Sequence, residues 1–223
     1  DFGENLLSAG TGALQTPIAY TPFMASYTAA RRDASGVTEA GTGIVLSIRG
    51  LGNDETEFEN RRFKAQSNFL VWKWELARTQ TLPRGFSLYG RIDGQIASQP
   101  LVPNEQYVAG GIDNVRGYLE ANALGDNAFH TTVELRTPRL APRDATGVDE
   151  LYAVAFLDDA RLKLRDPLPE QRDSFSLTGT GVGMRIKAWG GLRVRADVGY
   201  AWRDLAPTQA GSVRLQFVTA YDF

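Results

Sequence analysis

The last eleven residues run Val213-Arg214-Leu215-Gln216-Phe217-Val218-Thr219-Ala220-Tyr221-Asp222-Phe223 and alternate for most of their length. A β-strand presents the same face every second residue. Val213, Leu215, Phe217, Tyr221 and Phe223 therefore share one apolar face, while Arg214, Gln216 and Asp222 share a polar one. Soluble sandwiches also contain such strands, but they rarely need one that ends on an unpaired Phe. A strand that closes a cylinder in a membrane does, with its aromatic end at the interface.

The alternation recurs along the chain. Leu192, Val194, Ala196, Val198, Tyr200 and Trp202 form an unbroken apolar face against Arg193, Arg195, Asp197 and Arg203. Phe86, Leu88, Ile92 and Ile96 oppose Ser87, Arg91, Asp93 and Gln95; Leu70, Trp72, Trp74 and Leu76 oppose Lys73 and Glu75. Ile44, Leu46 and Ile48 oppose Ser47 and Arg49, and Phe129, Val133 and Leu135 oppose Glu134 and Arg136. Further strands fit 18–31, 151–163 and 175–189, the last with Gly179, Gly181, Gly183, Arg185 and Lys187 on its polar face. No segment carries a sustained helical period. Charges of both signs on one face of strand after strand suit a wet lumen; a soluble antiparallel sheet with its polar face in water is the competing reading.

Composition permits either. The chain has 223 residues, 43% of them hydrophobic, and a mean hydropathy of -0.27. It contains no apolar run of the length that a spanning helix needs. Barrel strands escape that test because half of each faces a polar interior. A formal charge of -2 and an isoelectric point near 5.5 argue against a nucleic-acid surface. The absence of Cys removes disulfides and thiolate metal sites, and Gly 23 suits the bends and close packing of a barrel.

Counted back from Phe223, the connections are 204–211, Trp189-Gly190-Gly191, 165–173, 140–149, 101–127, Pro83-Arg84-Gly85 and 52–61. Short and long mostly alternate, as turns at one rim and loops at the other do, with 140–149 longer than a good turn. The expectation is an all-β, antiparallel transmembrane barrel with about nine strands present. Residues 1–17 are expected to hold the stub of another strand. The start at Asp1-Phe2-Gly3 is read as that of a piece of a longer protein.

Within the long connection stands Gly110-Gly111-Ile112-Asp113-Asn114-Val115-Arg116-Gly117-Tyr118, followed by Gly125-Asp126 and by Val133-Glu134-Leu135-Arg136-Thr137-Pro138. This combination resembles the Omp85/TpsB superfamily, whose inward-folded sixth loop carries a V-R-G-[YF] tip. It looks most like the two-partner-secretion transporters, the haemolysin and haemagglutinin exporters. The resemblance implies that 1–223 is the C-terminal region of a sixteen-stranded barrel, with 101–127 as the inward loop and the periplasmic POTRA domains absent. Five strands after Tyr118 (128–140, 150–163, 175–189, 191–203 and 212–223) agree with that place in a barrel.

The family pairs the loop Arg with an acid on an F-x-D-x-G strand. Phe156-Leu157-Asp158-Asp159-Ala160 is similar to it, with Ala160 in place of the Gly. The resemblance therefore implies a loop tip of Val115, Arg116, Gly117 and Tyr118, and a lumen anchor of Phe156, Asp158 and Ala160. The alternative is a solvated Arg116 with Asp158 paired to a strand neighbour such as Arg136. Tyr221 and Phe223 match the signal that an assembly machine reads on the last strand.

Other chemistry finds little support. His130 is the only histidine, which argues against a Ser-His-Asp triad or a multi-His metal site. Gly179-Thr180-Gly181-Val182-Gly183 lacks the Gly-Lys-Ser/Thr ending of a phosphate loop and reads as a strand of small residues beneath the inward loop. Asp158 and Asp159 are neighbours on a strand and face opposite ways, so they do not share an ion. Trp72, Trp74, Trp189 and Trp202 are expected at the lipid surface.

No enzyme activity, metal or cofactor is expected. The resemblance implies a pore in the outer membrane of a Gram-negative bacterium that exports an unfolded exoprotein, driven by folding of that exoprotein outside. The implied partners are the exoprotein, the barrel-assembly machinery and outer-membrane lipid. Alternatives are a barrel-assembly factor or the barrel anchor of a fused passenger and, from a different class, a soluble β-barrel binding protein.

Overall fold

The computed structural model describes residues 18–52, 54–141 and 147–223. Nine strands form one antiparallel sheet in chain order: β1 (Pro22–Asp33), β2 (Gly36–Ser47), β3 (Leu70–Thr81), β4 (Ser87–Ala97), β7 (Asn127–Arg136), β8 (Val148–Lys163), β9 (Ser174–Ala188), β10 (Leu192–Ala201) and β11 (Val213–Tyr221). Two further strands, β5 (Tyr107–Ala109) and β6 (Ala123–Gly125), pair with each other inside the connection between β4 and β7. Among the described residues no helix is long and apolar enough to cross a membrane.

The expected nine strands are there, five of them after Tyr118. The stub expected in 1–17 lies outside the described residues, as does part of the connection 140–149. Two details differ from the sequence reading. β2 runs back to Gly36, well before Ile44, because Gly41 and Gly43 interrupt the alternation without interrupting the ladder. The connection after β2 also holds a short helix, α1 (Glu55–Arg61). The side chain of Asp54 accepts from the Thr56 amide at 2.9 Å and caps it, Glu55 and Glu57 sit in its first turn, and Phe58 is its buried anchor. Less than two turns cannot display a helical period.

Consecutive antiparallel strands reverse, so connections alternate between two rims. One rim carries the long ones, 48–69, 98–126, 164–173 and 202–212. The other carries the short turns after β1, β3 and β9, and the connection after β7, part of which lies outside the described residues. After β9 three residues stand between the paired Ala188 and Leu192, and Trp189 and Gly190 both have positive φ (51° and 70°), which closes the tight hairpin.

The two faces of the sheet separate by parity. Val198 pairs with Val182 and Leu215, Val133 with Leu157, and Trp72 with Ile44 and Ile96. All these side chains are exposed, as are Leu70, Trp202 and Phe217. Trp74 lies on the same face against Phe129, ring centroids 5.8 Å apart. So large an apolar surface is a liability in water and a fit to hydrocarbon. The opposite face carries Arg91, Asp93, Glu134, Asp158, Arg185, Arg195 and Asp197, and there the connection 98–126 folds down onto the sheet.

Candidate functional site

The connection between β4 and β7 rises as β5, turns through Ile112–Tyr118, and returns as β6. Its tip lies on the charged face of β7 through β11. Gly110 (φ 99°) and Gly111 (φ 108°) begin the reversal, and the Gly111 amide donates to the Val115 carbonyl at 3.2 Å. Gly117 (φ 94°) makes the second bend, in a backbone region that L side chains avoid.

Arg116 points from this tip into a pocket of acids. Its Nε and Nη2 donate to Oδ2 and Oδ1 of Asp158, both at 2.7 Å, a planar fork on a carboxylate. The Arg116 amide also donates to Asp158 Oδ2, at 3.1 Å. Nη1 donates to Glu134 Oε1 at 2.6 Å, and the guanidinium lies over the Phe156 ring, 3.5 Å from its centroid. Arg116 is 1% exposed and Asp158 0%. Burial works against the charge on Arg116, but Asp158 and then Glu134 outweigh it and hold the guanidinium firmly protonated.

The acids have further partners. Thr132 Oγ1 donates to Asp158 Oδ1 at 2.9 Å. Glu134 also takes Arg136 at 2.8 Å and Arg185 at 3.3 Å, so Arg136 pairs with Glu134 rather than with Asp158. Asp197 binds Arg185 and Arg195 at 2.7 and 2.9 Å. On the other flank His130, the single histidine, sits buried between Asp93 Oδ1 (2.8 Å) and Thr132 Oγ1 (3.2 Å). Tyr107 of β5 donates to Asp93 Oδ2 at 2.6 Å; burial, and then the Asp93 charge, push its phenol well above the ordinary range and keep it a donor.

Glycines let the tip come this close. A Cβ on Gly179 would stand 2.0 Å from the Arg116 carbonyl oxygen, and one on Gly199 would stand 2.4 Å from the Gly117 nitrogen. Gly181 leaves room for the Phe156 ring and Gly183 for the Asp197 carboxylate. Ala160 is fully buried in an apolar cluster with Val115, Tyr118, Leu162 and Leu177. The hydroxyl of Tyr118 reaches the Arg203 carbonyl at 3.0 Å, and Gln216 of β11 clasps the tip from the far side, bonded to the Gly117 amide and the Tyr118 carbonyl, each at 3.1 Å.

Val115, Arg116, Gly117 and Tyr118 are thus gathered with Phe156, Asp158 and Ala160. Tyr221 and Phe223 lie apart from them, exposed at the end of β11. The sequence reading gave no role to Glu134, Gln216, Thr132 or Asp126. Glu134 and Asp158 follow the same parity on neighbouring strands, and that signal could have linked them. Among the described residues no group of His, Cys, Asp and Glu is arranged to hold a metal.

The chain is similar to known proteins. The model of the family described as haemolysin secretion/activation protein ShlB/FhaC/HecB matches residues 19–186. The heme/hemopexin transporter protein HuxB of Haemophilus influenzae is 27% identical over 84 residues, covering 38% of this chain and 15% of that protein. Another HuxB of the species is 30% identical over 89 residues, covering 39% and 16%. The match therefore spans about a sixth of the relatives' length or less. The solved structure of CdiB from Escherichia coli superposes with a TM-score of 0.75 at 18% identity, over 92% of this chain and 37% of that one, which shows a shared fold.

Proposed function

The chain belongs to the haemolysin secretion/activation family, the two-partner-secretion transporters of the Omp85 superfamily, and from that premise we propose that it forms part of an outer-membrane pore through which an unfolded exoprotein passes from periplasm to cell surface. The observation that carries this reading is the docking of the loop tip through Arg116 and Asp158 on a charged sheet face whose reverse is apolar. The apolar face meets lipid, and the charged face lines a wet path. The buried fork holds the loop in that path at rest.

The path offers accessible charges of both signs, Arg91, Glu75, Lys187, Arg193 and Asp222 among them, spaced along the strands. An extended peptide can exchange hydrogen bonds with them without one strong site to trap it. No nucleotide motif accompanies the sheet, and folding of the passenger outside supplies the direction. The HuxB relatives are named as heme/hemopexin transporters; the passenger of this chain is proposed only as an exoprotein that emerges unfolded.

The test uses the full-length transporter. Expressed with its exoprotein in cells lacking other exporters, it should release that protein to the medium, and the purified transporter should conduct ions across a planar lipid bilayer. Secretion unchanged by its removal, or a bilayer that stays silent, overturns the reading.

A further inference from the structure

Arg62 and Asp126 stand far from the tip, at the rim of long connections. Arg62 caps the C-terminus of α1 within the connection 48–69, and Asp126 is the last residue before β7. Asp126 is fully buried. Its Oδ1 accepts from Arg62 Nη1, from the Leu101 amide at 3.0 Å and from Gln106 Nε2 at 3.1 Å. Its Oδ2 accepts from Arg62 Nη2 at 2.6 Å and from the Arg165 amide at 2.7 Å. Arg62 in turn donates to the Leu101 carbonyl at 2.6 Å and the Arg165 carbonyl at 3.2 Å.

One carboxylate thus ties together the connection 48–69, both legs of the inward loop, and the connection 164–173. Beneath it lies an apolar cluster that includes Phe58, Ala65, Phe69, Leu101 and Val102. A buried ion pair is weak evidence of a stabilising role, since packed apolar groups of like volume often serve as well. What a fork with this many partners does supply is position: three connections fixed to one point. Loss of either charge leaves the other buried and unpaired.

We propose that Arg62 and Asp126 are positioning residues that clamp the loop-bearing mouth of the pore and set its width. The inference rests on the pore reading above. The tip pair fixes where the loop ends inside; the root clamp fixes where it begins and holds its neighbours against it. The tip can leave Asp158 while the root stays, so the root is the hinge and the mouth keeps its width until the clamp itself opens.

The experiment compares the full-length transporter with its Asp126→Asn and Arg62→Lys variants by bilayer recording and by amide hydrogen exchange on the same preparations. Asn sets an amide donor against the donors of Arg62 and Arg165. Lys keeps the charge, but one ammonium cannot hold both oxygens and both carbonyls. Exchange at the Leu101 and Arg165 amides should rise about tenfold or more, as loss of a charge-assisted hydrogen bond implies. The unit conductance of open events should rise several-fold as the mouth widens, with protection of the Arg116 amide unchanged. Faster exchange with unaltered conductance, or no change in either, overturns the clamp. A silent parent channel overturns the pore reading as well, whereas a conducting parent with indistinguishable variants overturns the clamp alone. If Asp126→Asn does not reach the membrane, Arg62→Lys decides by the same outcomes.

Discussion

Gly179 lies against the backbone of Arg116, so close that a methyl group in its place would stand 2.0 Å from the Arg116 carbonyl oxygen. The obstacle is backbone on both sides, and no rotamer change relieves it. Gly179→Ala should therefore lift the tip by an ångström or so while β9 pairs as before, and a shift of about that size already breaks hydrogen bonds of this geometry. Exchange at residues 107–118 should accelerate with the rest of the sheet still protected. Equal protection in both proteins would mean that the tip is not seated there in solution.

Arg116 and Asp158 should behave as a unit. Removing one member of a buried pair typically costs about 3–5 kcal/mol because the other charge is left behind, against about 1 kcal/mol or less for an exposed pair. Arg116→Ala and Asp158→Ala should each impair secretion or alter conductance while the barrel still forms. The double variant should cost less than the sum. Glu134 tempers the second single, since it stays bonded to Arg116 Nη1. A strictly additive cycle, scored by secretion, would show that the two do not act together.

The parity of β10 assigns its faces to different solvents. Val198→Arg places a guanidinium on the apolar face and should destabilise the folded barrel by about 2–4 kcal/mol near the midplane. Arg195→Val should cost much less, because Asp197 keeps Arg185 at 2.7 Å. A folding titration in lipid that finds equal losses for the two would remove the lipid-facing assignment.

Phe223 protrudes beyond β11 and is fully exposed. Among the described residues no neighbour covers its side chain, so its effect should fall on assembly. Deleting it from the full-length transporter should lower the amount inserted, while the inserted fraction keeps its resistance to heat on a gel. Normal insertion would leave Phe223 as an ordinary interfacial aromatic.

The strands were legible because period two survives in single side chains: Leu192 to Trp202 shows it without a gap. β2 was legible only from Ile44, since Gly41 and Gly43 have no side chain with which to mark a face. α1 was hidden for another reason. Its seven residues give one buried contact, Phe58, and a pattern needs at least two. At the site, Asp158 is marked by its F-x-D-x neighbourhood. Glu134 was quoted only as part of a strand, and its bond to Arg116 depends on how the loop turns. The Arg62–Asp126 fork joins residues 64 positions apart, one of them in an aperiodic connection. Periodicity is a local signal and cannot report a meeting that the whole sheet arranges.

The glycines under the tip have a consequence for the way back. Gly179 and Gly199 leave bare main chain directly beneath the tip, a strip of sheet with no side chain of its own. Most vacated binding sites partly heal, as neighbouring side chains rotate into the space and must be evicted on return. Here the floor has no rotamers to rearrange. In the proposed transport, a tip that has left returns to the same imprint, and re-seating needs only a search for Asp158. A channel of this kind can reset after each use without remembering how long it was open.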